Sequence, residues 1–257
     1  MIAGLCAGAT CAVVGVFVVT MHLSFLGVCI AHAAFAGAML GVWLQFDPLL
    51  GALVFSVGAA AAVGPLADRG ELSPDTSVGI VFSVMLGLAF VFMGLAPEAR
   101  TDALSLFWGS ILTVSRLDVI FLLGTAALVL GLLILFYKEV HAVLCHRQVA
   151  LAVGIPATAV FYGMLLVTGV TIAVSLRSIG GLLIYSLVLN PAAAAFQLTY
   201  RMKGLIGLAV FFGVLSCWAG LAASYWWNLP TGAAIVLTSS AIFAVAVVIS
   251  PKRRRHK

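Results

Sequence analysis

The sequence predicts an all-α, polytopic integral membrane protein with eight to nine transmembrane helices, and nine is the preferred count. Hydrophobic residues make up 64% of its 257 residues and charged residues only 8%, and the mean hydropathy is +1.24. A soluble domain needs a more polar surface than this composition provides, so the chain is assigned to the lipid bilayer. The charges are also clustered, and the intervals between them are long and apolar.

The apolar intervals are long enough to be transmembrane helices, each of which needs roughly 20 residues. Cutting the chain at its charges and Pro/Gly turns gives spans at 2–19, 23–45, 49–67, 76–95, 118–137, 157–175, 179–199, 204–224 and 230–249. The first interval lacks the basic flank and cleavage site of a signal peptide, so it is interpreted as a retained helix. A single membrane domain over residues 1–257 is expected.

Two segments between the spans are not long enough to cross the membrane. Residues 97–117 hold a short apolar stretch between charged flanks and are predicted to form an external re-entrant or surface helix. Residues 139–156 mix charges with apolar residues at helical spacing. That composition is typical of an amphipathic helix that lies at the membrane face or docks a partner.

The distribution of basic residues predicts the orientation of the chain. If the C-terminus is cytoplasmic, ten Lys and Arg residues lie inside and only Arg100, Arg116 and Arg177 lie outside. This positive-inside bias places the N-terminus outside and the C-terminus in the cytoplasm. The basic tail PKRRRHK directly follows an apolar segment, so it is interpreted as a stop-transfer anchor rather than a nucleic-acid site.

The chain lacks the residues that common energy-coupling and catalytic sites require. All 8 acidic residues fall in or beside loops, whereas a gradient-driven carrier usually needs an ionisable group within the bilayer. No lysine follows a glycine as in a nucleotide-binding P-loop, and HExxH and GxSxG are missing. The chain is therefore expected not to be an enzyme, and a partner must supply any energy. A non-transporting scaffold or an enzyme that uses an intramembrane histidine is the alternative.

His32 is the main candidate functional residue, because it stands alone within an apolar run. A helix that starts at Leu23 places it roughly 14 Å into the membrane, close to the midplane where transporter sites lie. The residues on its side of the helix, by spacing, are Phe25, Val28, Cys29, Phe35, Ala36 and Met39. Cys29 and Met39 are weaker candidates for contact with a metal. The alternative is a neutral histidine hydrogen-bonded to another helix, with Cys29 as a small core residue.

A second group of candidates lies in the seventh span. Pro191 removes a backbone hydrogen bond, Asn190 can satisfy the groups it frees, and this break either lines a path or is a packing kink. Tyr185 and Ser186 are interpreted as hydrogen-bonding residues between helices or as substrate contacts. Elsewhere the glycine pairs at 4 and 8 and at 37 and 41 have the small-xxx-small spacing of close helix packing.

Six segments together resemble the permease subunits of the zinc, manganese and iron ABC importers, the ABC-3 family. They are LSFLGVCIAHAAFAGAMLG, SVGIVFSVMLGLAFVF, LFWGSILTVSRLDV, ALAVGI, GGLLIYSLVLNPAAAAF and YWWNLPTGAAIVL. The resemblance covers most of the chain, and the segments follow in the family's order.

The resemblance implies a transition-metal cargo and several partners. These would be a cytoplasmic ATPase dimer, a second permease chain that is identical or paralogous, and an extracellular or periplasmic metal-binding protein. The chain itself would need no cofactor, since ATP and Mg²⁺ would bind to the ATPase. The protein would lie in the bacterial inner membrane. The ATPase would press on a coupling segment that includes His146, Arg147, Ala150, Ala152 and Gly154.

The chain departs from the family at Val28, where the resemblance implies an aspartate four residues before the histidine. Manganese favours oxygen ligands, whereas zinc accepts mixed nitrogen, oxygen and sulfur ligands. One explanation is that Cys29 replaces the lost oxygen with sulfur, and zinc is favoured over manganese or iron. Alternatively, the chain is the degenerate half of a heterodimer, or it passes a metal chelate or other small cargo without direct coordination.

Overall fold

The computed structural model describes residues 2–69, 73–95 and 114–252, and these residues form a bundle of α-helices. Helices α1 to α11 are Ile2–Thr20, Leu26–Trp43, Pro48–Arg69, Pro74–Leu95, Arg116–Leu135, Tyr137–Cys145, Arg147–Ala152, Ala157–Ile179, Gly181–Leu198, Met202–Trp227 and Thr231–Ile249. The external segment predicted at 97–117 lies almost entirely outside the described residues, as do the last five residues of the basic tail.

Within the described residues, eight helices are long and apolar enough to cross a membrane. The ninth predicted span is α9, whose apolar part is the shorter Leu183–Leu198. The prediction of eight to nine transmembrane helices is therefore confirmed. Individual residues set several of the helix boundaries. Gly180, with a φ of +84°, separates α8 from α9, and a capping box between Ser115 and Asp118 starts α5.

The helices pack in two connected groups, one around α2 and the other around α1 and α9. Helix α2 packs against α3 and α4, whereas α1 packs against α9 and α10, and α9 also contacts α11. Helix α8 links the groups, because it contacts α3 and α2 on one side and α5 and α1 on the other. Most residues of α1 and α2 are buried, whereas fewer than a quarter of the residues of α4, α5 and α11 are buried. The candidate site on α2 therefore lies on an interior helix.

Glycines allow the closest approaches between helices. A Cβ added at Gly37 of α2 would overlap the backbone carbonyl of Gly51 on α3. A Cβ added at Gly8 of α1 would lie 2.7 Å from the carbonyl oxygen of Gly213 on α10. Backbone atoms cannot yield as a flexible side chain can, so these positions require glycine. The spacing around Gly8 and Gly37 thus corresponds to the close helix packing predicted from sequence.

The Gly37→Ala variant is expected to destabilise the bundle by about 1 to 3 kcal/mol, because the methyl group forces α2 and α3 apart. The loss is measured as a lower midpoint of thermal unfolding for the purified protein in detergent. Gly58→Ala on α3 is the matched control, since a Cβ there meets no atom within 4 Å. Equal unfolding midpoints for the two variants would contradict the close packing of α2 on α3.

Hydrogen bonds and a cation–π contact hold the C-terminal end of α11 against the C-terminal end of α9. The Ser250 hydroxyl donates to the backbone oxygen of Gln197 at 2.9 Å. The Lys252 ammonium donates to the backbone oxygen of Phe196 and lies 3.9 Å from the centre of the Phe196 ring and 4.4 Å from that of Tyr200. Partial burial lowers the pKa of Lys252. A cation at the last carbonyls of a helix stabilises that terminus.

Candidate functional site around His32

His32 lies on the only accessible stripe in the middle of α2. Between Leu26 and Met39, every residue of this helix is buried except Val28 and His32. Phe25, just before the helix, is 45% exposed and extends the same stripe, because positions three to four residues apart share a helix face. The tertiary packing thus leaves one narrow strip of α2 accessible, and His32 is its one ionisable side chain.

Helix α2 starts later than predicted. It begins at Leu26, because Met21 to Phe25 form the turn after α1 and His22 there has a φ of +56°. His32 is therefore six residues from the start of the helix, about 9 Å along its axis at 1.5 Å per residue. It lies in the first half of α2 rather than at the middle that the Leu23 start implied.

The Nδ1 atom of His32 lies 2.9 Å from the backbone oxygen of Val28. A carbonyl oxygen only accepts, so Nδ1 must carry the proton and donate it. In the neutral ring the lone pair then belongs to Nε2, the nitrogen that is able to ligate a metal. The backbone oxygen of Val28 thus fixes the tautomer and the orientation of the imidazole.

Two phenylalanines form an aromatic wall beside the imidazole. The Phe82 ring of α4 lies 5.1 Å from the His32 ring, edge to face at 84°. Phe25 packs on the same Phe82 ring at 5.5 Å and 82°. Such edge-to-face pairs are the favoured arrangement of aromatic rings. Sequence reasoning missed Phe82, since a phenylalanine in an apolar span carries no signal of its neighbours, and only the packing of α4 on α2 reveals it.

The two sulfur-containing candidates on α2 are in the packed core. Cys29 and Met39 are both 0% exposed, whereas His32 is half-buried. The distinction follows from helix geometry, because Cys29 is rotated about 100° from Val28 and packs among neighbouring helices. Metal contact through either sulfur stays a prediction, and it requires α2 to rotate or its neighbours to separate. The accessible stripe itself offers an imidazole nitrogen.

The candidates at the start of α9 lie close to α2 or within α9 itself. The Tyr185 ring lies 3.5 Å from the position of a Cβ added at Gly27, so this tyrosine packs over the glycine that precedes Val28. Ser186 is buried, and its hydroxyl donates to the backbone oxygen of Leu183 at 3.0 Å. Tyr185 therefore borders the site, while the bond shown for Ser186 is local to its own helix.

Helix α9 continues through Pro191 up to Leu198. The side-chain amide of Asn190 donates to the hydroxyls of Ser239 and Ser240 on α11, at 3.0 and 3.1 Å. These bonds join two helices, so they differ from the expected bond of Asn190 to the backbone groups freed by Pro191. Asn190 thus connects α9 to α11 by side-chain hydrogen bonds next to Pro191.

The predicted coupling segment forms two short helices, α6 and α7. His146 is extended between them, and Gly154, with a φ of +87°, makes the turn after α7 that leads to α8. Ala150 is buried against Val143 and Ala157, whereas His146, Ala152 and Gly154 are exposed.

Three exposed side chains of α7 and its following turn are apolar. The exposed fractions of Val149, Leu151 and Val153 are 58%, 49% and 75%. We call these three residues the α7 patch. Arg147, at the start of α7, packs its guanidinium 4.7 Å from the centre of the Phe161 ring of α8. It also donates to the Thr158 hydroxyl at 3.4 Å. Arg147 therefore links α7 to α8.

Within the described residues, no three His, Cys, Asp or Glu side chains lie close enough to hold a metal ion together. The His32 imidazole is thus one ligand per chain, and a divalent ion there would keep water or gain ligands from elsewhere. Weak metal binding by a single imidazole suits a transport pathway, because a transported ion must leave each site that it enters.

The chain matches known proteins over nearly its whole length. The profile of the ABC 3 transport family covers residues 1–250. The manganese transport system membrane protein MntC of Listeria monocytogenes is 32% identical over 254 residues, which are 98% of this chain and 90% of that protein. The high-affinity zinc uptake system membrane protein ZnuB of Haemophilus influenzae is 29% identical, with 91% and 89% covered.

The fold also matches a solved structure, described as PsaBC from Streptococcus pneumoniae in complex with Fab. The TM-score is 0.86 at 29% sequence identity, and the match covers 98% of this chain and 91% of the other.

Proposed function

This chain belongs to the ABC 3 transport family and is a permease of a metal ABC importer, and we propose that its cargo is a divalent transition-metal ion that passes His32. The observation that supports this site is the stripe of Phe25, Val28 and His32, on which the Nε2 lone pair of the imidazole is oriented by the bond from Nδ1 to Val28. Neutral imidazole is a common ligand for divalent transition metals.

Zinc is not specifically favoured as the cargo. The missing carboxylate at Val28 favours zinc on ligand chemistry alone, but most of the relatives are named for manganese transport and one is named for zinc uptake. A hydrated Mn²⁺ supplies its own oxygen ligands, so the loss of one carboxylate does not exclude it. We therefore propose a permease for manganese or zinc, with the choice between them set at the position of Val28.

The permease acts within a larger assembly. A second permease chain completes the pathway, and an extracellular or periplasmic protein delivers the metal. Of the two cytoplasmic ATPase subunits, one binds at the α7 patch of this chain and the other binds to the second permease chain. The chain holds no cofactor, and ATP with Mg²⁺ binds on the ATPase. In this arrangement the N-terminus is outside the inner membrane and the C-terminus is cytoplasmic, as the ten to three distribution of basic residues supports.

The geometry supports a simple sequence of events. ATP binding closes the ATPase dimer and displaces α7, and the contacts of Arg147 with Thr158 and Phe161 carry this motion to α8. Helix α8 packs on α2 and α3, so its movement changes the surroundings of the His32 stripe. The metal then exchanges the imidazole for water and leaves toward the cytoplasm.

The Val28→Asp variant is expected to raise the ratio of Mn²⁺ to Zn²⁺ uptake by about tenfold, since a carboxylate next to His32 adds the oxygen ligand that manganese prefers. The measurement is competitive uptake of the two ions by proteoliposomes that contain the assembled importer. Val28→Asn is the control, because it has nearly the same shape without the charge. If both variants keep the parental ratio, selectivity is set elsewhere.

A further inference from the structure

A large apolar cavity opens between α1, α5, α6 and α8. Its volume is about 510 Å³. Its wall is largely apolar and includes Val13 and Phe17 of α1, Val129 and Leu133 of α5, Val140 of α6 and Met164 of α8. Ala159 and Gly163 are exposed, so the cavity opens at the outer face of the bundle. It lies on different helices from the stripe around His32.

The length of the cavity corresponds to one leaflet of a bilayer. Along α8 it runs from Pro156, just before the helix, to Thr168. That distance is about 18 Å at 1.5 Å per residue, and half of the hydrocarbon core is about 15 Å. On α5 it is lined by the last two turns and by Phe136. The cavity thus extends from the end of the spans that carries α6 to roughly the bilayer midplane.

We propose that this cavity binds one acyl chain of a phospholipid from the surrounding bilayer. It has room for more than ten waters at about 30 Å³ each, but apart from Glu139 and Thr168 the lining side chains are apolar. They give most of these waters no hydrogen-bond partner, and apolar cavities stay dry. An empty space would lose the dispersion contacts of every lining atom. An acyl chain fills the space, and it is already present at the open side because α5 and α8 are membrane spans.

The charges at the α6 end of the cavity fit a phospholipid headgroup. Lys138 is exposed in the first turn of α6, and the Lys203 ammonium lies 5.9 Å from the centre of the Tyr137 ring in the same turn. These two cations are placed for the lipid phosphate. Glu139 lines the cavity at this end and is placed for the ammonium of an ethanolamine headgroup. The acyl chain and the headgroup therefore have complementary surfaces on the same side of the bundle.

The bound acyl chain would contact both ends of the coupling segment, to which the ATPase is proposed to bind. Val140 belongs to α6, Pro156 precedes α8, and both line the cavity. An acyl chain between them fills the space into which α6 and α8 would otherwise close. This regulatory consequence rests on the proposed function, whereas the lipid site does not depend on it.

The test uses a photoreactive lipid and a variant that fills the cavity. The importer is reconstituted in nanodiscs with phosphatidylethanolamine that carries a diazirine in one acyl chain, illuminated, and mapped by mass spectrometry. We expect labelling at residues 129–136 and 159–168 to exceed that of the exposed faces of α4 and α11. A Cβ added at Gly163 meets no atom within 4 Å, so Gly163→Leu enters the void without a clash. It is expected to lower the labelling at least about threefold, because its side chain replaces the lipid contacts.

Gly124→Leu is the matched control, since Gly124 is also exposed on α5 with no atom within 4 Å of an added Cβ, but it does not line the cavity. Ala159→Phe fills the cavity from the preceding turn of α8 and should lower the labelling as Gly163→Leu does. Uniform labelling of all exposed spans, or unchanged labelling in both filling variants, would overturn the proposal. Absence of lipid labelling from residues 159–168 in the assembled importer would mean that another occupant, such as a second permease chain, covers the cavity, and would also overturn it. Because labelling is measured without transport, these outcomes are separate from a failure of the proposed function.

Discussion

The His32→Ala variant is expected to lower metal uptake by the assembled importer by at least about tenfold, the size of effect that lost metal-site contacts commonly have. The reason is that His32 is the one ionisable side chain on the accessible stripe of α2, with its Nε2 lone pair oriented by the hydrogen bond to Val28. The measurement is ATP-driven uptake of Mn²⁺ and Zn²⁺ by proteoliposomes. Co-purification of the ATPase subunits shows that the complex still assembles.

Two further substitutions at the same position separate the roles of the two ring nitrogens. Asparagine places an amide near the position of Nδ1, so His32→Asn keeps a donor for the Val28 oxygen but offers no atom at Nε2. Glutamine places its amide near Nε2 and its carbonyl oxygen can ligate a metal. His32→Asn should therefore transport as poorly as the alanine variant, while His32→Gln should retain part of the uptake.

Met39→Leu is the control on the same helix, because it removes a sulfur and conserves volume at a position that is 0% exposed. Its uptake should stay close to that of the parent protein. If Met39→Leu loses uptake as completely as His32→Ala, the path follows a different face of α2 from the one that we propose. If His32→Ala transports normally, His32 takes no part in the path, and cargo that needs no direct ligand, such as a metal chelate, becomes the better explanation.

The second large effect is expected at the α7 patch. Val153→Asp should weaken ATPase binding roughly a hundredfold, since leaving an unpaired charge in a protein interface costs about 3 kcal/mol. Val153 is suited to this test because 75% of its surface is exposed, so the carboxylate is solvated in the isolated permease and does not disturb its fold. Binding is measured by titrating the purified permease with ATPase subunits, and uptake in proteoliposomes should fall in parallel.

Leu44→Asp is the matched control for the patch. Leu44 is 55% exposed and follows α2 at the end that we propose to be external, so the same apolar-to-acidic change should leave ATPase binding unchanged. Full ATPase affinity in Val153→Asp would show that the ATPase docks elsewhere. Equal weakening by the two variants would mean that the patch has no special part in docking.

The sequence predicted the helices better than their ends. Long apolar intervals between charges predicted all the spans that the structure describes, because the bilayer requires every backbone group to be satisfied within a helix. The start of α2 was wrong by three residues, since Leu23 is as apolar as the helix that follows and the turn around His22 gives no clear breaking signal. At Gly180, where the glycine sets the boundary, α9 starts at Gly181, two residues after the predicted start, but α8 ends at Ile179, four residues after its predicted end.

The candidate site was only partly predictable. An isolated histidine in an apolar run is conspicuous in the sequence, and spacing alone placed Val28, Cys29 and Met39 on its side of the helix. Spacing does not say which of these residues the neighbouring helices cover. Packing against the neighbouring helices buries Cys29 and Met39 and leaves Val28 and His32 partly accessible. The packing of α4 also adds the aromatic ring of Phe82, more than forty residues away.

The sequence by itself determined the membrane class, the order of the spans and the residue types available for metal chemistry, because transfer into hydrocarbon depends on composition and on intervals along one chain. The tertiary structure alone decided the accessible stripe of α2, the link from Arg147 to α8 and the acyl-chain cavity beside α5. These features arise from contacts between helices distant in sequence. Lipid is as apolar as the core, so hydrophobicity does not specify which face of a span meets another helix, and close packing makes that choice.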